Sequence, residues 1–259
     1  MITGVSKAMR QDLAEFTLQT GTAHADYPVT NLADAKEILR PFKAGAAAAL
    51  EIRFVLDAAA EIDFIALAHH NAEGGETWSV ELFSDAAFSS SVYASGALVF
   101  QVAASQFPRT EPHWRSDGPV SVQSGAITLS AQTAPWKIGA IVIGQFWDLS
   151  QHDERSLGIL PRDGRLGVGD GVTHGTRNFS PRTFTLGNSQ IDWTTDGRTF
   201  HDFQRATQTA QPFVWLRDYE DTDTWPRECA LVRSKTLPAL DKNAWIHGGL
   251  ALDMVEHLE

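Results

Sequence analysis

Cysteine is nearly missing from this chain of 259 residues: Cys229 is the only one, which excludes an intrachain disulfide and any zinc site built from several thiolates. Its surroundings, Glu228-Cys-Ala-Leu-Val-Arg233, read as a strand, and Cys229 is expected to be a small buried hydrophobe rather than a nucleophile. Dense basic runs are missing as well. With 21 Lys and Arg against 32 Asp and Glu, the formal net charge is −11, so no nucleic-acid partner is expected, because phosphate neutralisation needs clustered cations. No segment approaches the roughly 20 apolar residues that cross a bilayer, so membrane insertion is not expected either. The stretch Met1 to Arg10 has no apolar core of signal-peptide length, and the simplest expectation is a protein made and kept, or assembled, in a cytoplasm. The chain also lacks a Gly-x-Ser-x-Gly elbow, a His-Glu-x-x-His helix and a Walker loop. We therefore expect no catalytic residues, no cofactor and no metal.

What is present is enough apolar material, 43% of residues, to bury a sizeable core in one large or two ordinary domains. Most of it alternates. In Leu50-Glu-Ile-Arg-Phe-Val-Leu56, Leu50, Ile52 and Phe54 share one face opposite Glu51 and Arg53, as in a half-buried strand. Ile62 to Ala68 is apolar on both faces after Asp63, which suits a central strand covered on both sides. Trp78 to Phe83 alternates again, and Gly74-Gly75 would close an antiparallel hairpin between these two strands. Leu98 to Ala103, Ala126 to Leu129 and Trp136 to Trp147 bring the total to about eight strands, the number a jelly-roll sandwich needs. Glu15 to Gln19 adds strand-like alternation, Asn31 to Glu37 reads as a capped helical turn, and Ser105 to Gly118 as a long connection.

Beyond Leu149 the texture changes. Positions 151–181 are polar and rich in Gly and Pro, too long for a routine connector, and read as a linker or an extended arm. After it come a strand at Thr183 to Leu186, a helix at Asp196 to Thr207 with Phe200 and Phe203 on one side, and a strand at Phe213 to Leu216. Strands at Arg227 to Val232 and Trp245 to Val255 are expected to pair with the last of these. The fold class is thus mainly β. An antiparallel jelly-roll sandwich over 1–150 is followed by the arm at 151–181 and a small α+β assembly domain with one helix over 182–259.

Four features invite a functional reading. The glycine run from Gly164 to Gly175 lacks the preceding buried strand and following helix of a dinucleotide fingerprint, so a flexible or clasping loop is the better reading. The carboxylates of Asp218-Tyr-Glu-Asp-Thr-Asp223 miss the EF-hand spacing, with Thr222 at the fifth place and no glycine at the sixth, and are read as a solvated turn. His69-His70-Asn71 could serve a metal or a general base, but neighbouring strand residues point to opposite faces and cannot share a pocket. Among eight tryptophans, Trp78, Trp136 and Trp215 take strand positions. Trp114, Trp225 and Trp245 lie beside prolines, turns or polar loops, where aromatics serve interfaces and sugar stacking.

The order of these segments resembles a known family. Asp26-Tyr-Pro-Val-Thr-Asn-Leu-Ala-Asp34 opens the run, Ile62 to Asn71 ends in His70-Asn71, and Pro135 to Trp147 closes it. That order is similar to the galactose-binding-like, discoidin-type β-sandwich. With a different mixed segment after it, the chain resembles minor tail or distal-tail-like tail-tip proteins of long-tailed bacteriophages. The resemblance implies a non-enzymatic structural component of a tail tip or baseplate, assembled in the host cytoplasm and resident in the virion tail. Its partners would be tail tube, hub or tape-measure components and further copies of itself in a ring. In such sandwiches the His-Asn pair sits where the strand leaves the core and bonds the next loop. The alternative is a carbohydrate-binding module for host surface glycans, with His70, Asn71 and Trp114 as candidate contacts and Trp225 and Trp245 as further ligand or interface candidates. A polysaccharide hydrolase would need two carboxylates converging in one cleft, and no pair stands out.

Overall fold

The computed structural model describes residues 4–7, 13–36, 38–72, 74–100, 111–149, 154–159, 166–169, 172–175, 182–208, 211–216, 229–236, 239–241 and 247–257. The protein is mainly β and antiparallel. In chain order the first strands are β1 Gly4–Lys7, β2 Ala14–Thr20, β3 Phe42–Lys43, β4 Leu50–Ala68, β5 Thr77–Phe83, β6 Ser91–Ala94, β7 Leu98–Val99, β8 His113–Leu129, β9 Lys137–Ile138 and β10 Ala140–Asp148.

Two long strands build the sandwich. β4 and β8 pair along most of their length, but the register slips between Val55 and Ala60 and again between Ile62 and Phe64. Bulged strands bend, and a bent strand can serve two layers. The first half of β4 lies between β2 and the end of β8, which continues to β5. Its second half lies between the start of β8 and β10. Side chains of both halves meet in one core: Ile52, Phe54, Trp78, Val80 and Ile127 from one layer, Ile65, Leu67, Ile141 and Ile143 from the other. Gly125 faces that core, where a Cβ would fall 2.4 Å from the Phe54 ring.

Alternation explains the second half of β4. Ile65 and Leu67 point into the sandwich core, whereas Phe64, Ala66 and Ala68 point away and join Val142, Phe146, Val214, Leu216, Cys229 and Leu231 in a second cluster. A strand apolar on both faces is therefore covered on both faces, as the sequence pattern predicts.

The hairpin expected across Gly74-Gly75 does not form. Both edges of the Ile62–Ala68 segment are taken by β8 and β10, so the chain instead crosses to the other layer, where β5 pairs β8. Gly74 and Gly75, at φ 109° and 89°, make that crossing without a Cβ clash. The expected helical turn at 31–37 is a 3-10 turn at Val29–Ala33, entered from Pro28 without a side-chain cap. The expected connection from Ser105 to Gly118 gives way at His113 to β8, because His113, Trp114 and Ser116 are buried on alternating and bulged positions.

Past Leu149 the strands are β11 Glu154–Ile159, β12 Leu166–Gly169, β13 Val172–Gly175, β14 Arg182–Asp192, β15 Phe213–Leu216, β16 Cys229–Ser234, β17 Ala239–Asp241 and β18 His247–Glu256, with helix α1 at Trp193–Gln208. Phe200 and Phe203 of α1 pack with Trp147, Phe184, Phe213, Trp215 and Met254 in a third cluster. The positions read as an arm thus hold β11, paired to β14, and a two-stranded ribbon of β12 and β13. Phe213–Leu216 pairs with β16 but not with β18, which pairs β14, β16 and β17. Its other neighbour is β1, which also pairs β10. One strand near the start of the numbering therefore joins both groups of strands into a single sheet, ordered β11-β14-β18-β16-β15-β1-β10-β4-β8-β5-β6.

Candidate functional site

Two polar places stand out, one where loops gather at an end of the sandwich and one where its outer face meets the second group of strands. The first begins as β4 leaves the core. His69 has φ 55°, a left-handed conformation uncommon for a residue with a Cβ, so the strand rule of alternating faces ends at Ala68. The two histidines part for this reason rather than by pleat. The His69 backbone N–H donates to Glu111 Oε2 at 2.9 Å, while the His70 ring packs 5.2 Å from that of Phe100 and its Nδ1 accepts from the Ala72 N–H.

Asn71 is the staple of this end. Its Oδ1 accepts from the Lys137 N–H at 2.7 Å and from Gln132 Nε2 at 3.1 Å, and its Nδ2 donates to the Pro135 carbonyl at 3.0 Å. Its own N–H donates to the Lys137 carbonyl. One side chain thus fixes the loop from Ser130 to Lys137 against the end of β4. Beside it, Gly74 to Glu76 and Ser130 to Thr133 line a shallow, open groove of about 470 Å³. The walls are tied together: Thr77 N–H donates to Ser130 Oγ, Ser130 N–H to the Thr77 carbonyl, and Trp136 Nε1 to the Ser130 carbonyl. Glu76, Gln132 and Thr133 offer a carboxylate, an amide and a hydroxyl there. That set can hydrogen-bond a polar ligand.

Trp114 does not stand in a loop. It lies in β8 at 3% exposure, and its Nε1 donates to the Tyr93 hydroxyl at 3.1 Å. The prolines before it place it in sequence among turn residues, but the pleat of β8 turns its ring into the core. Trp225, Trp245 and the Asp218 to Asp223 turn lie outside the described residues.

The second place was not legible as a motif, because its members are far apart in sequence. His113 of β8 is buried, with Nδ1 3.2 Å from the Glu111 carbonyl oxygen and 3.5 Å from Cys229 Sγ of β16. Burial pushes the imidazole down to about 4, against the upward pull of the Glu111 carbonyl. Burial likewise pushes the Cys229 thiol well up, and the Glu111 carboxylate adds to this, so the thiolate of a nucleophile is disfavoured. Nearby, Arg182 Nη2 donates to Glu256 Oε1 at 2.8 Å and the Arg182 backbone N–H to Oε2, both residues being buried. Burial would raise Glu256, but the Arg182 hydrogen bonds and charge outweigh it and hold the carboxyl below its ordinary value. Among the described residues no group of three or more His, Cys, Asp or Glu could hold a metal ion.

No protein-family model matches the chain, and no curated protein matches it. Solved structures do show likeness over part of it. A family 32 carbohydrate-binding module from C. perfringens NanJ, in complex with galactose, is 11% identical with a TM-score of 0.41 over 55% of this chain and 98% of that one. The lectin domain of Lectinolysin, complexed with Lewis B antigen, is 9% identical at 0.40 over 54% and 98%. The family 32 module of AlyQ, in complex with 4,5-unsaturated mannuronic acid, is 17% identical at 0.37 over 50% and 92%.

Proposed function

We propose that this chain is a structural component of a long-tailed bacteriophage tail tip or baseplate, a protein that joins subunits and does not transform a substrate. The observation that carries the reading is the β12–β13 ribbon. It sits in the connection between the paired strands β11 and β14, yet among the described residues it pairs only with itself. A lone two-stranded ribbon is marginal in water, so its ordering is best supplied by a neighbouring surface. The segment order from Asp26 to Trp147, which resembles that of minor tail proteins, supports the same reading. The partners expected are tail tube, hub or tape-measure components and other copies of this chain, with residence in the virion tail after assembly in the host cytoplasm. Gold labelling of a tagged copy on purified particles tests it: label at the tail end is expected, and absence of the protein from purified particles overturns the proposal.

A second reading, a module for host surface glycans, is favoured by the groove beside Asn71. Glu76, Gln132 and Thr133 are the polar groups such a site would use. Against it, Trp78, Phe100, Trp114 and Trp136 are all buried and present no stacking face to that groove. A glycan array without binding at high protein concentration removes this reading.

A further inference from the structure

Among the described residues, the strands at the far edge of the sandwich carry neither the charge nor the proline that commonly keeps a sheet edge from pairing, although both strands are short and the β5–β6 register shifts between Leu82 and Phe83. β6 and β7 together form this edge, since both pair β5, at Glu81 to Phe83 and at Thr77 to Trp78 respectively, and among the described residues neither pairs anything else. Edge strands are ordinarily blunted by charge, proline or a covering element. Here no Asp, Glu, Lys, Arg or His occurs between Asp85 and Arg109, in a chain where charged residues make up 20%. The strands themselves, Ser91-Val-Tyr-Ala94 and Leu98-Val99, carry no proline. Val92 and Val99, exposed at 44% and 59%, are two of the four exposed large hydrophobics among the described residues, and both belong to this edge. Tyr93 between them is anchored inward through its hydroxyl to Trp114. The strip combines open backbone groups, β-branched side chains and no charge, which is the chemistry that receives an added strand.

The same chain holds a segment fitted to it. The strands of the β12–β13 ribbon, Leu-Gly-Val-Gly and Val-Thr-His-Gly, are free of Asp, Glu, Lys and Arg. Two copies of a protein with net charge −11 repel each other over most of their surfaces, and meeting through strands that hold no acidic residue lowers that cost, with Asp170 confined to the two residues between β12 and β13 in sequence. We propose that the β6/β7 edge is the docking edge for the β12–β13 ribbon of a second copy of this chain, the ribbon continuing the sandwich sheet. The proposal rests on the assembly reading above and names one partner within it. Because ribbon and edge are different surfaces, the contact is head to tail, and it can propagate from copy to copy or close on itself.

Sedimentation velocity of the full chain over a concentration series tests this with two variants. Val92→Lys with Val99→Lys charges the edge at solvent-facing positions, and Val168→Pro spoils the ribbon. Wild type is expected to self-associate, and each variant to weaken that association by at least about tenfold while keeping its far-ultraviolet strand signal. An equimolar mixture of the two variants is expected to form one-to-one pairs, since one supplies the intact ribbon and the other the intact edge. A wild-type chain that stays monomeric, an edge variant that associates like wild type, or a mixture that fails to pair overturns the proposal. Loss in the edge variant alone, with the ribbon variant unaffected, assigns the edge to itself and overturns the ribbon as its occupant. Particle labelling reads separately: a monomeric chain that still marks the tail end removes this interface and keeps the proposed function.

Discussion

Asn71 shows how much one polar side chain can do when its donors and acceptors are all directed at one loop. Its amide bonds the Lys137 N–H, Gln132 and the Pro135 carbonyl, replacing bonds that these groups would otherwise make with water. Truncation leaves several of them unpaired at once. Asn71→Ala is expected to lower stability by about 1–3 kcal/mol, read from the urea midpoint, with faster proteolysis of the 130–137 loop. If the residue served a ligand instead, stability would hold and only binding would fall. At this scale the site was partly legible. His70-Asn71 at the end of an apolar run marks a strand leaving a core, but nothing local tells that Gln132 and Lys137 will be its partners. Trp114 illustrates the opposite failure: flanking residues suggested a loop, while the pleat that buries it is set by pairing with Ile65 across the sheet.

Among the elements, β1 has the largest consequence for its length. Val5 pairs Trp147 on one side and Trp215 on the other, and it is fully buried with Phe213 and Trp215 in the cluster under α1. Ser6 adds a polar tie, its hydroxyl accepting from the Val214 N–H at 2.9 Å. Val5→Ala removes buried methyl groups at this seam and is expected to cost about 2 kcal/mol, measured by chemical denaturation. A loss below about half a kcal/mol would show that the seam is dispensable. Periodicity reveals such strands only when they are long. Glu15 to Gln19, Ile62 to Ala68 and Phe213 to Leu216 were readable from alternation or apolar runs, whereas Gly4–Lys7 is four residues and carries one large hydrophobe. The bends in β4 and β8 were hidden for a related reason, since a bulge changes pairing without changing composition.

Over the whole molecule, the sandwich and the strands beyond it share a buried junction in which His113 and Cys229 come from opposite sides. His113 there stays neutral to about 4, while an unfolded chain takes up its proton near 6.5. The unfolded state therefore binds more protons in between, so this contribution is complete above 6.5 and is lost as pH falls toward 4. Between pH 6.5 and about 5, above the range where unshifted carboxylates titrate, wild-type unfolding free energy is expected to drop by up to about 1.4 kcal/mol per pH unit, and His113→Gln to flatten that slope. Equal slopes in the two proteins would show that the junction does not exclude the charged imidazole. Glu256, held below its ordinary value by Arg182, titrates beneath this window, whereas Asp63, which burial raises, takes up its proton more readily in the folded state and opposes the His113 slope as pH falls.

The seam made by β1 also sets an order of events on the ribosome. Val5 leaves the exit tunnel ahead of the sandwich, yet one of its two neighbours, Trp215, emerges only after the sandwich has been synthesised. Until then one side of β1 is an open hydrogen-bonding edge on a nascent chain, and closure of the sheet must wait for contacts of very long sequence separation. A polypeptide stalled before Phe213 is accordingly expected to need a chaperone that the finished protein does not.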